Sequence, residues 1–245
     1  MVALVGFFKD EDSSVRWSAA RTIGNQSTLS DATIAALVEL FKDEKSYVRR
    51  SATRAIGSQS TLPDATMAAL VELFKDKDSD VRESAARAIG MQSTLSDATM
   101  AALVELFKDK DSSVRRSAAI ALGKQSTLSD ATVAALVELF KDEDSSVQWS
   151  AANALGKQST LSDATMVALV ELFKHEDSNV RSSAARAIGN ESALSDKILD
   201  ALGISIQPET HAQSALYIPP IGSSSHNMLS EEKGGEVFAA MQNVA

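Results

Sequence analysis

The stretch DSSVRWSAARTIGNQSTLSDAT (residues 12–33) returns almost letter for letter as DSSVRRSAAIALGKQSTLSDAT (residues 111–132). The repetition is not confined to these two copies. Val15, Val48, Val81, Val114, Val147 and Val180 are spaced by 33 residues, as are Gly24, Gly57, Gly90, Gly123, Gly156 and Gly189. A fixed period of this length marks a repeat architecture, in which each unit completes its core against its neighbours. Six units are present, and the regular pattern fades after Asp196.

Each unit reads as two helices. In the first, Ile34, Leu37, Val38 and Phe41 fall at i, i+3, i+4 and i+7, one face of an α-helix. Thr28 and Asp31 have the spacing of a capping box at its start. The pair recurs at Thr61/Asp64, Thr94/Asp97, Thr127/Asp130 and Thr160/Asp163. Pro63 is expected inside the first turn of its copy, where a missing N–H costs little. In the second helix Val48, Ala52, Ala55 and Ile56 share a face. Asp12, Asp78, Asp111, Asp144 and Asp177, each followed by Ser, are its expected N-caps. The repeated Gly is expected to end it in a left-handed turn. The Ser-Ala-Ala run allows a neighbouring backbone to come close. A single unit has too few large apolar side chains to offset the entropy of ordering its chain, so the units must stack. The predicted fold is all-α: a right-handed α-solenoid of about six 33-residue helical hairpins over residues 1–203, followed by a non-repeat tail over 204–245.

Composition agrees. The chain is 44% hydrophobic but 5% aromatic, so Ala, Leu, Val and Ile carry the core, as suits packed helices. The net charge of −9 argues against a general role on nucleic acid, which needs a basic footprint. The absence of cysteine excludes disulfides and thiolate metal sites from this chain. No apolar run has the length of a membrane span, and a cytoplasmic location is expected. The opening MVALVGFF recurs internally as AALVELF and belongs to the repeat pattern. Met1 takes the place of Ile34, so the chain is expected to begin partway through a first helix.

FFKDEDSSVRWSAARTIG (residues 7–24) resembles a HEAT repeat, of the HEAT-like type also found in phycobilisome lyases. The likeness lies in the Asp near the inter-helix turn, then Val-Arg, Ala-Ala and Ile-Gly. It extends over residues 1 to about 202. The resemblance implies an Asp–Arg ladder between repeats, here Asp10, Asp43, Asp76, Asp109 and Asp142 with Arg16, Arg49, Arg82, Arg115 and Arg181. His175 replaces the Asp in the sixth unit and Gln148 the Arg in the fifth, so the ladder is expected to weaken there. It also implies that the second helices line the concave surface.

The copies differ along one stripe of the second helix. The varying triplets are Ser14, Trp17, Arg21; Tyr47, Arg50, Arg54; Asp80, Glu83, Arg87; Ser113, Arg116, Ile120; Ser146, Trp149, Asn153; and Asn179, Ser182, Arg186. Their i, i+3, i+7 spacing keeps each triplet on one face. Both tryptophans fall here, with six arginines, in an acidic chain. Trp, Tyr and Arg are the residue types enriched at interface hot spots. The stripe is therefore the expected binding groove, and its arginines call for a protein or peptide partner with acidic groups. The bland alternative is an ordinary solvated face.

Residues 204–245 share no period with the rest, hold three of the four prolines and carry a net −3. ALYIPPIG reads as an extended segment and EVFAAMQNV as a short helix. Leu216, Tyr217, Ile218 and Phe238 are candidate anchors for docking this tail, on its own solenoid or on a second copy. Nothing calls for catalysis, metal or cofactor. His175-Glu176 lies in a turn and occurs once, and no nucleophile–base set or phosphate loop is present. The expectation is a non-enzymatic interaction scaffold. A bilin-lyase-like subunit handling a tetrapyrrole and a phycobiliprotein, or a purely structural or designed array, stand as alternatives.

Overall fold

A computed structural model of the chain describes residues 2–158 and 160–189. The chain divides into two compact units, Met1–Gln158 and Ser159–Ala245. In the first, helical hairpins follow one another: α1 (Val2–Gly6) with α2 (Ser13–Ile23), α3 (Asp31–Glu39) with α4 (Ser46–Gly57), α5 (Asp64–Glu72) with α6 (Ser79–Ile89), α7 (Asp97–Glu105) with α8 (Ser112–Leu122), and α9 (Asp130–Glu138) with α10 (Ser145–Leu155). The described part of the second unit is one hairpin of the same kind, α11 (Asp163–Glu171) with α12 (Ser178–Gly189). The fold is thus the all-α repeat of the solenoid type that the period predicts. Among the described residues there is no strand, and no helix is long and apolar enough to cross a membrane.

The core sits where the periodicity puts it. Leu37, Ile56, Leu70, Ile89, Leu103 and Leu122 are fully buried, each contributing on the order of 2 kcal/mol by leaving water. Every first helix closes in one tight 3-10 turn, Leu40–Lys42 in the second repeat, before the chain becomes extended at Asp43. Within the first unit the second helices pack on one another more closely than the first helices do.

Two local expectations need correction. The cap of the first helix is not Thr28 with Asp31. Ser30 is the N-cap: its hydroxyl accepts from the Thr33 N–H and lies 2.9 Å from the Thr33 hydroxyl. Ser96, Ser129 and Ser162 do the same in their repeats. Pro63 replaces this serine as N-cap, outside the helix, and that copy has no side-chain cap. The second-helix caps are as expected, with Asp12 accepting from the Ser14 N–H at 2.8 Å. Lys45 stands in for the Asp in α4, which has no side-chain cap.

The repeated glycine does not turn left-handed either. Gly24, Gly90, Gly123 and Gly156 have φ between −63° and −66°. What excludes a side chain is the next repeat. A Cβ on Gly90 would stand 2.6 Å from the Ala121 Cβ and 2.7 Å from its Cα, and Gly24, Gly57 and Gly123 meet Ala55, Ala88 and Ala154 in the same way. Glycine is required here for backbone approach rather than for φ.

Three polar ladders tie the repeats of the first unit together. Arg49 donates from Nε and Nη2 to the two carboxylate oxygens of Asp76, at 2.7 and 2.6 Å. Arg16–Asp43, Arg82–Asp109 and Arg115–Asp142 repeat this pairing. The Nη1 of Arg49 also donates to the Asp43 carbonyl of its own repeat. Gln148 keeps that carbonyl bond, to Asp142 at 2.7 Å, but its Oε1 is buried with no partner among the described residues. In the second unit Arg181 donates to the carbonyls of His175 and Glu176. Burial alone would raise the Asp43 and Asp109 pKa values; the hydrogen bonds from Arg16 and Arg82, those from the Lys45 and Asp111 backbones and the nearby arginine charge together outweigh it and hold both carboxyls below their usual range.

The second ladder joins the capping aspartates Asp78, Asp111 and Asp144 to serines of the repeat before. The Ser46 and Ser79 hydroxyls hold the Asp78 and Asp111 pKa values down, and Ser146 with Ser112 lowers Asp144 to about 2. The third is a glutamine ladder. The Nε2 atoms of Gln59, Gln92, Gln125 and Gln158 donate to the carbonyls of Gln26, Gln59, Gln92 and Gln125. The Oε1 atoms of Gln59 and Gln125 accept from the Leu29 and Leu95 N–H groups.

Candidate partner-binding face

The varying stripe lies where the second helices leave their surface uncovered. Arg21, Tyr47, Arg54, Arg87 and Arg186 are exposed, and Trp17, Arg50, Glu83, Arg116, Ile120, Trp149 and Asn153 are half-buried. The stem of the helix faces inward through Val, Ala and Ile, so the variable side chains project from a backbone fixed by the ladders.

Within the first unit the stripe forms two grooves that share one residue. The first, about 550 Å³, is lined by Trp17 and Arg21 of α2 and by Tyr47, Arg50 and Arg54 of α4. The Arg21 guanidinium lies over the Trp17 ring, 5.3 Å from its centroid, a cation–π contact that leaves an aromatic platform with a charged edge. The Tyr47 hydroxyl is fixed by the Ser13 hydroxyl at 2.5 Å, and Arg50 pairs with Asp80 at 2.7 Å. The second groove, about 450 Å³, runs over α4, α6 and α8. Arg54, Arg87, Arg116 and Ile120 line it, over a floor of Ser84, Ser117, Gly90 and Ala121.

The floor explains why the grooves exist. Small residues demanded by close helix packing leave nothing tall between neighbouring stripes, so the long side chains of successive second helices enclose a trough. Among the described residues no carboxylate lines either groove. Glu83 stands at the rim and reaches Arg87 at 3.4 Å.

The stripe residues are not all gathered. Trp149 and Asn153 on α10 line neither groove. Arg186 belongs to the second unit, where its Nη2 donates to the Ser183 hydroxyl at 3.2 Å. The tail anchors Leu216, Tyr217, Ile218 and Phe238, and the boundary at 203, lie outside the described residues.

Several groove residues escape the stripe pattern, among them Met91 and Lys124. Met91, 58% exposed, and Lys124 occupy the position directly after the repeated glycine. That position reads Asn25, Ser58, Met91, Lys124, Lys157 and Asn190 through the chain, a variation that was a signal in itself. Burial, together with repulsion from Lys157 and Arg87, pulls the Lys124 pKa below its ordinary value. His175 lies in the turn before α12, where its Nδ1 accepts from the Asp177 N–H. Among the described residues no group of three or more acidic, His or Cys side chains is placed to hold a metal ion.

A family profile for HEAT repeats matches the chain four times, over residues 2–90, 34–123, 67–156 and 100–189. No protein of curated function matches. Among solved structures, one engineered protein is similar at 28% identity and TM-score 0.56, over 77% of this chain and 96% of that one. A second engineered protein is 26% identical with TM-score 0.54, over 81% and 96%. A designed armadillo repeat protein in complex with the peptide (KR)4 is 18% identical with TM-score 0.58, over 77% and 98%.

Proposed function

Since this chain belongs to the HEAT-repeat family, we propose that it is a non-enzymatic scaffold whose second-helix face binds an extended protein segment bearing acidic groups. The observation that carries this reading is the pair of grooves joined at Arg54, lined by Trp17, Tyr47 and five arginines, with no carboxylate among the described residues that line them. A trough continuous over four second helices suits an extended segment better than a small compact ligand. The Trp17–Arg21 platform supplies desolvated contact area, and the remaining arginines supply charge complementarity and faster encounter. The designed armadillo protein that holds (KR)4 binds a basic peptide; the sign of the charge here is the reverse.

Fluorescence anisotropy with labelled acidic and basic peptides of equal length tests the reading. An acidic peptide is expected to bind, to weaken on Trp17→Ala and on Arg54→Ala, and to lose affinity as salt is raised. The (KR)4 peptide is expected not to bind. If alanine along the whole stripe changes no affinity, the array is structural and the proposal fails. No visible band is expected on mixing the chain with a bilin, and the appearance of one would favour tetrapyrrole handling instead.

A further inference from the structure

The groove over α4, α6 and α8 carries more positive charge than its surroundings neutralise. Arg54, Arg87, Arg116 and Lys124 line one cavity, and among the described residues no carboxylate lines it. Glu83 reaches Arg87 through a single long and solvent-screened contact. The Arg116 Nε is buried with no hydrogen-bond partner among the described residues, a costly state for a donor in a native protein. The Lys124 ammonium has the Met91 sulfur 3.2 Å away, a weak acceptor. The space is about 450 Å³, within the range of ligand sites. Beside the cations, Met91 and Ile120 supply an apolar wall.

The number of cations decides between anions. A carboxylate brings one charge and two oxygens. A phosphoryl group brings roughly 1.5 to 2 negative charges and three strong acceptor oxygens. Three guanidiniums and an ammonium exceed what one carboxylate satisfies, and the forked donors of arginine match phosphate oxygens. We infer that this groove receives a phosphorylated side chain of a bound peptide, held by Arg54, Arg87 and Arg116 with Lys124, while the neighbouring apolar residue of the peptide rests on Met91 and Ile120. The inference rests on the second-helix face being the peptide-binding face, and it adds the chemistry of the anchor.

The test titrates phenyl phosphate, benzoate and phenol into the full chain at fixed ionic strength, followed by NMR. A nonapeptide with a central phosphoserine is then compared with its Ser and Glu counterparts. Phenyl phosphate is expected to bind about tenfold or more tightly than benzoate, with Arg116→Gln weakening it by about tenfold. Lys42→Gln, far from the groove, is expected to leave it unchanged. Should Arg116→Gln fold poorly, the exposed Arg87→Gln carries the same test. Equal binding of benzoate and phenyl phosphate overturns the inference. So does Ser and Glu peptides binding as tightly as the phosphopeptide, an outcome that leaves the proposed function standing. If phenyl phosphate binds and no peptide does, the peptide carrier is overturned, and the function proposed above with it.

Discussion

Arg49 of one repeat and Asp76 of the next meet through two hydrogen bonds, at 2.7 and 2.6 Å, with side chains 7% and 8% exposed. The pair is a fork-to-fork contact between neighbouring repeats, through residues 27 apart in sequence. Its value is asymmetric. Two buried charges that satisfy each other contribute modestly, whereas one left alone is costly. Asp76→Ala is therefore expected to destabilise the chain by about 3–5 kcal/mol. Arg49→Met combined with Asp76→Leu should recover most of that loss. Urea denaturation of the two variants decides; a double variant no more stable than the single would count against the account.

The contact of Gly90 with Ala121 gives a second prediction. A methyl group on Gly90 has the Ala121 Cα and Cβ within 2.7 Å, and the backbone must move to admit it. Gly90→Ala is expected to cost about 1–3 kcal/mol, although alanine normally favours a helix. Adding Ala121→Gly should relieve part of the clash. Thermal unfolding of both variants tests this, and a stabilising Gly90→Ala would show that the close approach is not real.

The ladders also set the response to acid. Asp43, Asp78, Asp109, Asp111 and Asp144 all have folded pKa values lowered, Asp144 to about 2. An unfolded aspartate titrates near 3.9, so between these values the unfolded chain binds more protons than the folded one. Stability is fully present above roughly pH 4 and is lost as pH falls toward about 2. Urea midpoints measured from pH 6 down to pH 2.5 should hold steady and then drop. A midpoint flat to pH 2.5 would refute the linkage.

Gln125 is 6% exposed and joins the Leu95 N–H to the Gln92 carbonyl, at 3.0 and 3.3 Å. Gln125→Ala strands both backbone groups and is expected to cost about 1–3 kcal/mol. Hydrogen exchange reads the effect locally: the Leu95 amide should lose protection while amides in α3 keep theirs. Uniform loss across the first unit would mean that the glutamine acts globally instead.

What could be read from the sequence was what repetition amplifies. Val48, Ala52 and Ile56 announce a helix face, and Asp76 with Arg49 recurs often enough to be a structural demand. Repetition does not say what the demand is. Gly90 recurs because Ala121 needs the space, but a lone letter reads equally well as a left-handed turn. In Ser-Thr-Leu-Ser-Asp several residues can cap, and only the backbone path picks Ser30 over Thr28. The Gln125 ladder was invisible because a polar residue after a glycine looks solvated until the next repeat covers it. The groove was half legible. Variation along the helix gave Arg54, Arg87, Arg116 and Ile120. Met91 and Lys124 vary too, but they lie past the helix end, outside the i, i+3, i+7 pattern.

Lys124 separates stability from binding. Burial, then Lys157 and Arg87, lower its pKa, so the charged ammonium is less favourable in the folded chain than in the unfolded one. The folded state thus binds fewer protons at this site, and removing the charge relieves the fold at neutral pH. Lys124→Met is expected to leave stability unchanged or to raise it by no more than about 0.5 kcal/mol, since the side chain is exposed and screened. The same substitution should weaken phenyl phosphate, because it removes one of four cations around the groove. Thermal unfolding and the phosphate titration, run on the same variant, must therefore move in opposite directions or leave stability level while affinity falls. A variant that loses stability and affinity together would show Lys124 to be a packing residue, and one that loses neither would remove it from the anion site.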